Sequence, residues 1–478
     1  MTIKNNIYNQ KQEFFTIFLI LIFVVCKLPH LGSPYYWDES WVYAPAVRTM
    51  YENGLSLLPS ALSVDYSRGH PLLFHFLAAG WLKIFGTSFI AAHSFALFVS
   101  CCCLGAIFCL GRGLFSPNVG LAATLLVAAQ SMFFVQSSFL LPEVMVALWI
   151  LLALLFFHQQ RWVAYFLAAS ALLLTKESGI TLIASLLIFV TIKEYITNNT
   201  FFYKKLLFQY LFILLPCLPM GVFFVIQKNT FGWFLYPEHI GMMQLKWSNF
   251  LHQCRNVLEI TFVINGRFIL LAFFVGSLFY AFYKRFFSQT KKALFKLEYL
   301  FLFLFLVTYI VFCALNFVTA RYLISCIVVA TILFAALISD YLSLSAKPFF
   351  LGVFALCFIF VGYALKDKSL GDCSLGAFDA MRVKASAVHF LEAENAFDKP
   401  VIAREFLSQV ALKNIYSGYL QSSKFFTDLR YELTPGAFLL ADNTEPNAIV
   451  AQWAQENKII LVKKFESGPA WAAIYQVK

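Results

Sequence analysis

The sequence predicts an α-helical polytopic membrane protein with a small C-terminal α/β domain outside the membrane. Of its 478 residues, 60% are hydrophobic and 13% charged, with a mean hydropathy of +0.74. Soluble chains carry about 25% charged residues, so this one does not cover itself with water. Apolar runs of roughly 20 residues, many filled by the 56 phenylalanines, recur to about Leu365, and each is long enough to cross a bilayer as a helix. Beyond Lys366 the apolar runs shorten and turn residues appear.

Charge and cysteine usage fit this class. From Lys366 onward 13 Lys+Arg face 13 Asp+Glu, so the net +11 lies wholly in the membrane part, where 23 basic residues meet 12 acidic ones. On a polytopic chain such an excess reads as the positive-inside rule, not as a nucleic-acid surface. The first run, Phe14 to Val25, follows Lys4 and Lys11 and lacks a small-residue cleavage site before His30, which predicts a retained signal-anchor helix. Most of the 11 cysteines sit in apolar runs as small hydrophobes, with no C-x-x-C pair and no metal-like Cys/His spacing.

Basic clusters set the topology. Lys284, Arg285, Lys291, Lys292 and Lys296 form the clearest one, Lys193, Lys204 and Lys205 a second, and Lys4 with Lys11 a third; Arg112, Arg161 and Lys347 stand alone in short loops. With all six inside, about 11 crossings (10–13) result, near 14–30, 89–111, 118–135, 142–158, 162–176, 178–193, 206–227, 263–283, 298–316, 321–343 and 348–365. Pro71–Phe85 is short and carries His75 and Lys83, so it reads as an interfacial helix. The N-terminus is then cytoplasmic. A first loop (32–88), a second (228–262, with Trp233, Tyr236 and Trp247) and a C-terminal domain lie outside. The domains are 1–365, the transmembrane module, and 366–478. In the latter, Pro400–Ala403, Ala437–Ala441 and Lys458–Val462 read as strands and Ala385–Ala396 as a helix. No internal repeat or low-complexity tract is found. A reporter fused after Lys292 is expected to read cytoplasmic and one after Ala396 external. The same side for both would overturn this layout.

Given this topology, the unusual polar residues fall on one side, and ionisable groups near membrane depth mark a site by default. Asp38 precedes a helical stretch (Glu39 to Glu52) and reads equally as an N-cap or, with Glu39 beside Trp37, as a carboxylate whose partial desolvation suits proton abstraction. Arg68 and His70 flank Gly69 before Pro71, a fixed turn that would aim both at one point, although snorkelling also explains Arg68. Glu143 after Pro142 is what a helix start favours anyway. Lys176 with Glu177 and Gly179 forms a tight helix–helix turn and suits a helix C-terminus. Arg321 differs: it opens a helix, where the dipole repels a cation, and no acid lies near it in sequence. A negative partner must come from elsewhere, and a phosphate at the membrane surface is the natural candidate.

These motifs resemble the GT-C glycosyltransferases. Trp37-Asp38-Glu39 stands on a first external loop, Arg68-Gly69-His70-Pro71-Leu72 opens an interfacial helix, and Phe85-Gly86-Thr87-Ser88 follows. Leu141-Pro142-Glu143, Thr175-Lys176-Glu177-Ser178-Gly179 and Arg321-Tyr322-Leu323 come in the family's order. The nearest groups are the protein O-mannosyltransferase and aminoarabinose transferase superfamily (glycosyltransferase family 39-related) and the lipopolysaccharide-core transferases, over about residues 14–365. The resemblance implies a GT-C fold in a bacterial inner membrane with a periplasmic C-terminal domain. It implies sugar transfer, usually with inversion, from a polyprenyl-phosphate donor to a lipid, glycan or protein acceptor. Asp38 would be the base with Glu39 beside it and Glu143 as a further acid; Arg68, His70, Lys176 and Arg321 would face the carrier phosphate. Two departures stand out: one proline of the usual pair is missing at His70-Pro71-Leu72, and Glu143 replaces a frequent aspartate.

Such a displacement needs no general acid if cations neutralise the departing phosphate. No Walker or dinucleotide motif appears, no nucleic-acid partner is implied, and no cofactor is called for. There is room for a divalent cation beside the acids, but no ligand spacing supports one. The rival reading is a flippase or transporter of lipid-linked sugars, which should place its charges at the bilayer midplane on repeat-related broken helices.

Overall fold

The structure is a computed structural model that describes residues 3–198, 203–243, 246–272, 275–276, 279, 296–341, 352–353, 355–357, 359–361, 369–445 and 448–478. The basic residues Lys284, Arg285, Lys291, Lys292 and Lys347, and most of the expected crossing at 348–365, lie outside the described residues.

Long apolar helices follow the sequence pattern. They are α1 (Ile3–Lys27), α4 (Phe89–Leu114), α5 (Pro117–Ala128), α6 (Glu143–His158), α7 (Trp162–Thr175) and α8 (Ile180–Asn198). Further on come α9 (Tyr203–Leu214), α10 (Cys217–Phe231), α12 (Leu297–Leu315) and α13 (Ile324–Tyr341), while the amphipathic α11 (Trp247–Phe262) falls in the expected second loop, 228–262. Between α1 and α4, α2 (Ala44–Asn53) and α3 (Leu73–Phe85) build the first loop. Five spans are long and apolar enough to cross a membrane, and α9 with α10 makes a sixth, bent by 42°. The bend falls at Leu215-Pro216, where proline removes a backbone donor. The chain is an integral membrane protein. The described helix at 117–128 ends short of the expected crossing at 118–135, because Gln130 interrupts a run that hydropathy alone reads as continuous, whereas the helices at 143–158 and 162–175 keep the expected bounds to within one residue.

Burial sorts the helices. The α13 segment is 89% buried within its apolar window and forms the centre, whereas α1 is only 17% buried and shows Phe14, Ile17, Leu21 and Val25 to the outside. A soluble protein would not expose such a band, so these side chains face lipid. Helices α4 and α5 approach through glycines. A Cβ on Gly111 would come within 2.8 Å of the Gly120 Cα, and one on Gly120 within 2.5 Å of the Phe108 carbonyl, the small-residue contact that membrane helices favour. Helix α3 has thirteen residues, about 20 Å at 1.5 Å per residue, which is too short for a hydrocarbon core of about 30 Å.

The C-terminal part packs α14 (Gly376–Ala393) and α15 (Ala448–Gln455) on a five-stranded sheet. Its strands are β1 (Val401–Ile402), β2 (Leu429–Arg430), β3 (Phe438–Asp442), β4 (Ile459–Ser467) and β5 (Ala470–Val477), in the order β2-β1-β3-β5-β4. β1 runs parallel to β2 and β3, while β3–β5 and β5–β4 are antiparallel. Val388 and Leu391 of α14 and Ile474 of β5 belong to the same apolar core as the membrane helices. The domain is therefore seated on the bundle and not hung from it.

Inside this domain, burial pushes the Glu445 carboxyl up to about 7 against the opposing pull of Lys384. The protonated acid is thus favoured by the fold. Stability is expected to be highest below the ordinary carboxylate range and to fall as pH rises toward 7. Limited proteolysis of the full chain should show the domain more resistant at pH 5.5 than at pH 8, and Glu445→Gln should flatten the difference.

Candidate active site

Helix ends and the first loop meet at one polar cleft. Its lining includes Asp38, Arg68, His70, Lys176, Glu177, Glu238, His239 and Tyr322, around a volume of 180 Å³.

Asp38 and Glu39 are separated by backbone geometry. Trp37 sits in the left-handed region at φ 46°, uncommon for a non-glycine residue, and the chain then enters a π-wound turn, Glu39–Tyr43. Asp38 makes no capping hydrogen bond, which removes its reading as an N-cap. Its side chain is 38% exposed and forms an ion pair with Arg321 Nη2. Glu39 is fully buried and turned away from the cleft. It accepts hydrogen bonds from the backbone N–H of Tyr36 (3.2 Å) and Leu140 (2.6 Å). His93 Nε2 lies 3.0 Å from it, and His93 Nδ1 lies 2.8 Å from the Leu31 carbonyl. Glu39 therefore ties the first loop to α4 and to the segment before α6.

The C-terminal domain grips the same loop. Tyr36 donates its hydroxyl to the Leu370 carbonyl (2.6 Å), Tyr35 N–H donates to Ser417 O (2.9 Å), and Phe406 packs against both Tyr36 and Trp37. Asp38 is presented by a loop held from both sides.

Arg321 opens a short 3₁₀ turn, Ala320–Leu323, at the entry to α13. The negative partner that the sequence expectation assigned to a phosphate is present within the chain: its guanidinium reaches Asp38, Asp372 and Glu143, the last at 3.4 Å from Nε. Glu143 starts α6 and is buried; its Oε1 also accepts from Lys176 Nζ at 3.4 Å, while Oε2 has no hydrogen-bond partner. Lys176 lies 3.7 Å from the centre of the Tyr322 ring, a cation–π contact. Burial pushes the Asp372 carboxyl above its ordinary value, and Arg321 opposes that rise.

Arg68 caps one helical turn, Val64–Ser67, in the left-handed region (φ 46°), and Gly69 follows at φ 72°. A Cβ on Gly69 would meet Tyr236 Cβ at 2.8 Å and Trp233 at 2.9 Å, so glycine serves both the turn and the close seating of the second loop. His70 is aimed at Glu177, with Nδ1 2.8 Å from Oε2. The structure thus brings Asp38, Glu143, Lys176 and Arg321 into one charge network and places Arg68 and His70 beside it; Glu143 and Arg321 are buried behind the cleft lining, and Glu39 joins neither the lining nor the network.

Likeness to known proteins enters here. The family of dolichyl-phosphate-mannose-protein mannosyltransferases matches residues 69–223. ArnT from Cupriavidus metallidurans, in its crystal structure bound to undecaprenyl phosphate, superposes over 96% of this chain and 97% of its own, with a TM-score of 0.56 at 14% identity. Its apo structure gives 0.53 over the same shares, also at 14% identity. The chain has the GT-C fold. The apo oligosaccharyltransferase from Archaeoglobus fulgidus is a looser likeness, with a TM-score of 0.48 at 13% identity over 90% of this chain and 69% of that one. No curated protein matches by sequence.

Three residues of this cleft and its supports escape sequence reading. Asp372 follows the last apolar run in a stretch with no motif, and only the return of the chain to Arg321 gives it a role. His239 lies in the second loop, far from its cleft neighbours in sequence. His93 carried a faint signal, a lone histidine inside an apolar run.

Proposed function

We propose that this protein is a membrane glycosyltransferase. It takes a sugar from a polyprenyl-phosphate donor and passes it, with inversion, to an acceptor hydroxyl of an envelope lipid, glycan or protein on the external face. The observation that carries this reading is Asp38, a partly exposed carboxylate ion-paired to Arg321 at a cleft that also holds Arg68 and Lys176.

Asp38 acts as the base. It is ion-paired with Arg321, and its exposure leaves one face open to an acceptor. As the acceptor oxygen attacks the anomeric carbon and loses its proton to Asp38, the glycosidic bond to the carrier phosphate breaks. Arg68, Lys176 and Arg321 stabilise the charge that grows on the phosphate. In the resting arrangement Arg321 is engaged by carboxylates, so the carrier phosphate competes for the guanidinium and loosens its hold on Asp38. Glu143 fixes Lys176 and Arg321 from below. Glu39 holds the loop that presents Asp38 and does not touch substrate.

The test is transfer from purified polyprenyl-phosphate sugars to envelope acceptors by the detergent-solubilised protein, with release of polyprenyl phosphate measured in parallel. Movement of labelled carrier across proteoliposomes without sugar release would favour a flippase and end the transferase reading.

A further inference from the structure

The geometry points to a divalent transition-metal site, of the kind Zn²⁺ occupies, formed by His70, Glu177 and His239 at the lip of the cleft. Three separate segments supply the ligands: the turn after Arg68, the Lys176–Gly179 turn and the short helix Pro237–Gly241. One ligand atom from each lies within 4.8 Å of the other two. No other group of three His, Cys, Asp or Glu side chains converges in this way among the described residues. The His70 and His239 rings are 4.9 Å apart, and Glu177 already meets His70 at 2.8 Å.

Two imidazoles and a carboxylate make a donor set that zinc accepts with its fourth position open. At bond lengths of 2.0–2.1 Å, tetrahedral ligand atoms lie about 3.3 Å apart, so side-chain rotation of about 1.5 Å closes the site. The opposing charges are Lys176 and Arg68. Lys176 is directed to Glu143 and the face of Tyr322, and Glu238 lines the cleft with Arg68. Glu177 brings a negative charge of its own. The carboxylates Asp38, Glu143 and Asp372, by contrast, are all turned onto Arg321, and an ion there would have to displace a guanidinium. The bound ion would cross-link the second loop to the Arg68–Pro71 turn, where Trp233 and Tyr236 already rest on Gly69.

The experiment uses the untagged full-length protein in detergent, stripped with a chelator and titrated with Zn²⁺ alone. Metal is counted by elemental mass spectrometry after gel filtration, and protection of residues 236–241 is followed by hydrogen exchange. One ion per chain is expected, with the segment protected on binding. His239→Ala and Glu177→Gln should each weaken binding by about tenfold or more, and His239→Ala should melt like the stripped parent. Absence of stoichiometric zinc, or zinc retained at parental affinity by His239→Ala, overturns the site. The readout is independent of sugar transfer, so it stands or fails apart from the transferase reading.

Discussion

Asp38→Asn is expected to fold normally and to transfer sugar roughly 10²–10⁴ times more slowly than the parent, the usual contribution of a general base. Asparagine keeps the shape of the side chain and can still accept a hydrogen bond from Arg321, but it cannot take a proton. Asp38 is 38% exposed, and ion pairs with an exposed partner contribute little to stability, so thermal melting should barely move. Glu39→Gln should show the opposite pattern. Glu39 accepts from two backbone N–H groups and faces His93. A buried amide there turns an NH₂ toward a donor, at a cost of about 1–3 kcal/mol. Its loss of transfer should therefore follow its loss of folded protein. Single-turnover transfer beside thermal melting separates the two. Near-parental transfer by folded Asp38→Asn protein would remove Asp38 as the base.

This split between neighbours shows where sequence reading ends. Adjacent carboxylates at a helix start look equivalent as letters, because the left-handed Trp37 and the π-wound turn that aim them apart are set by tertiary contacts with Phe406 and Leu140. The helices were legible because bilayer thickness imposes a length and a polarity on them, and the short Pro71–Phe85 run was legible as a helix of its own for the same reason. Run length failed at α5, where the break at Gln130 ends the helix well before the expected 135. At the site, the dipole argument correctly required a negative partner for Arg321. It could not say that the partner would be three carboxylates drawn from residues 38, 143 and 372, since contacts 51, 178 and 283 residues apart in sequence leave no local pattern.

Arg321 is both the keystone of that network and the proposed phosphate contact, so Arg321→Ala is expected to fail twice. Removing a cation that is 5% exposed leaves Asp372 and Glu143 buried without it, and breaking a buried pair from one side costs about 3–5 kcal/mol. Donor use should also fall by roughly 10²–10³, the range for losing one donor to a developing oxyanion. Arg321→Lys should restore part of the stability, because a charge remains, yet little of the donor affinity, because lysine lacks the planar fork. The discriminating protein is the double variant Arg321→Ala with Asp372→Asn. Neutralising Asp372 relieves the uncompensated charge, so melting should recover toward the parent while transfer stays low. Recovery of transfer along with stability would mean that Arg321 only holds the carboxylates together, and the carrier phosphate would then rest on Arg68 and Lys176 alone.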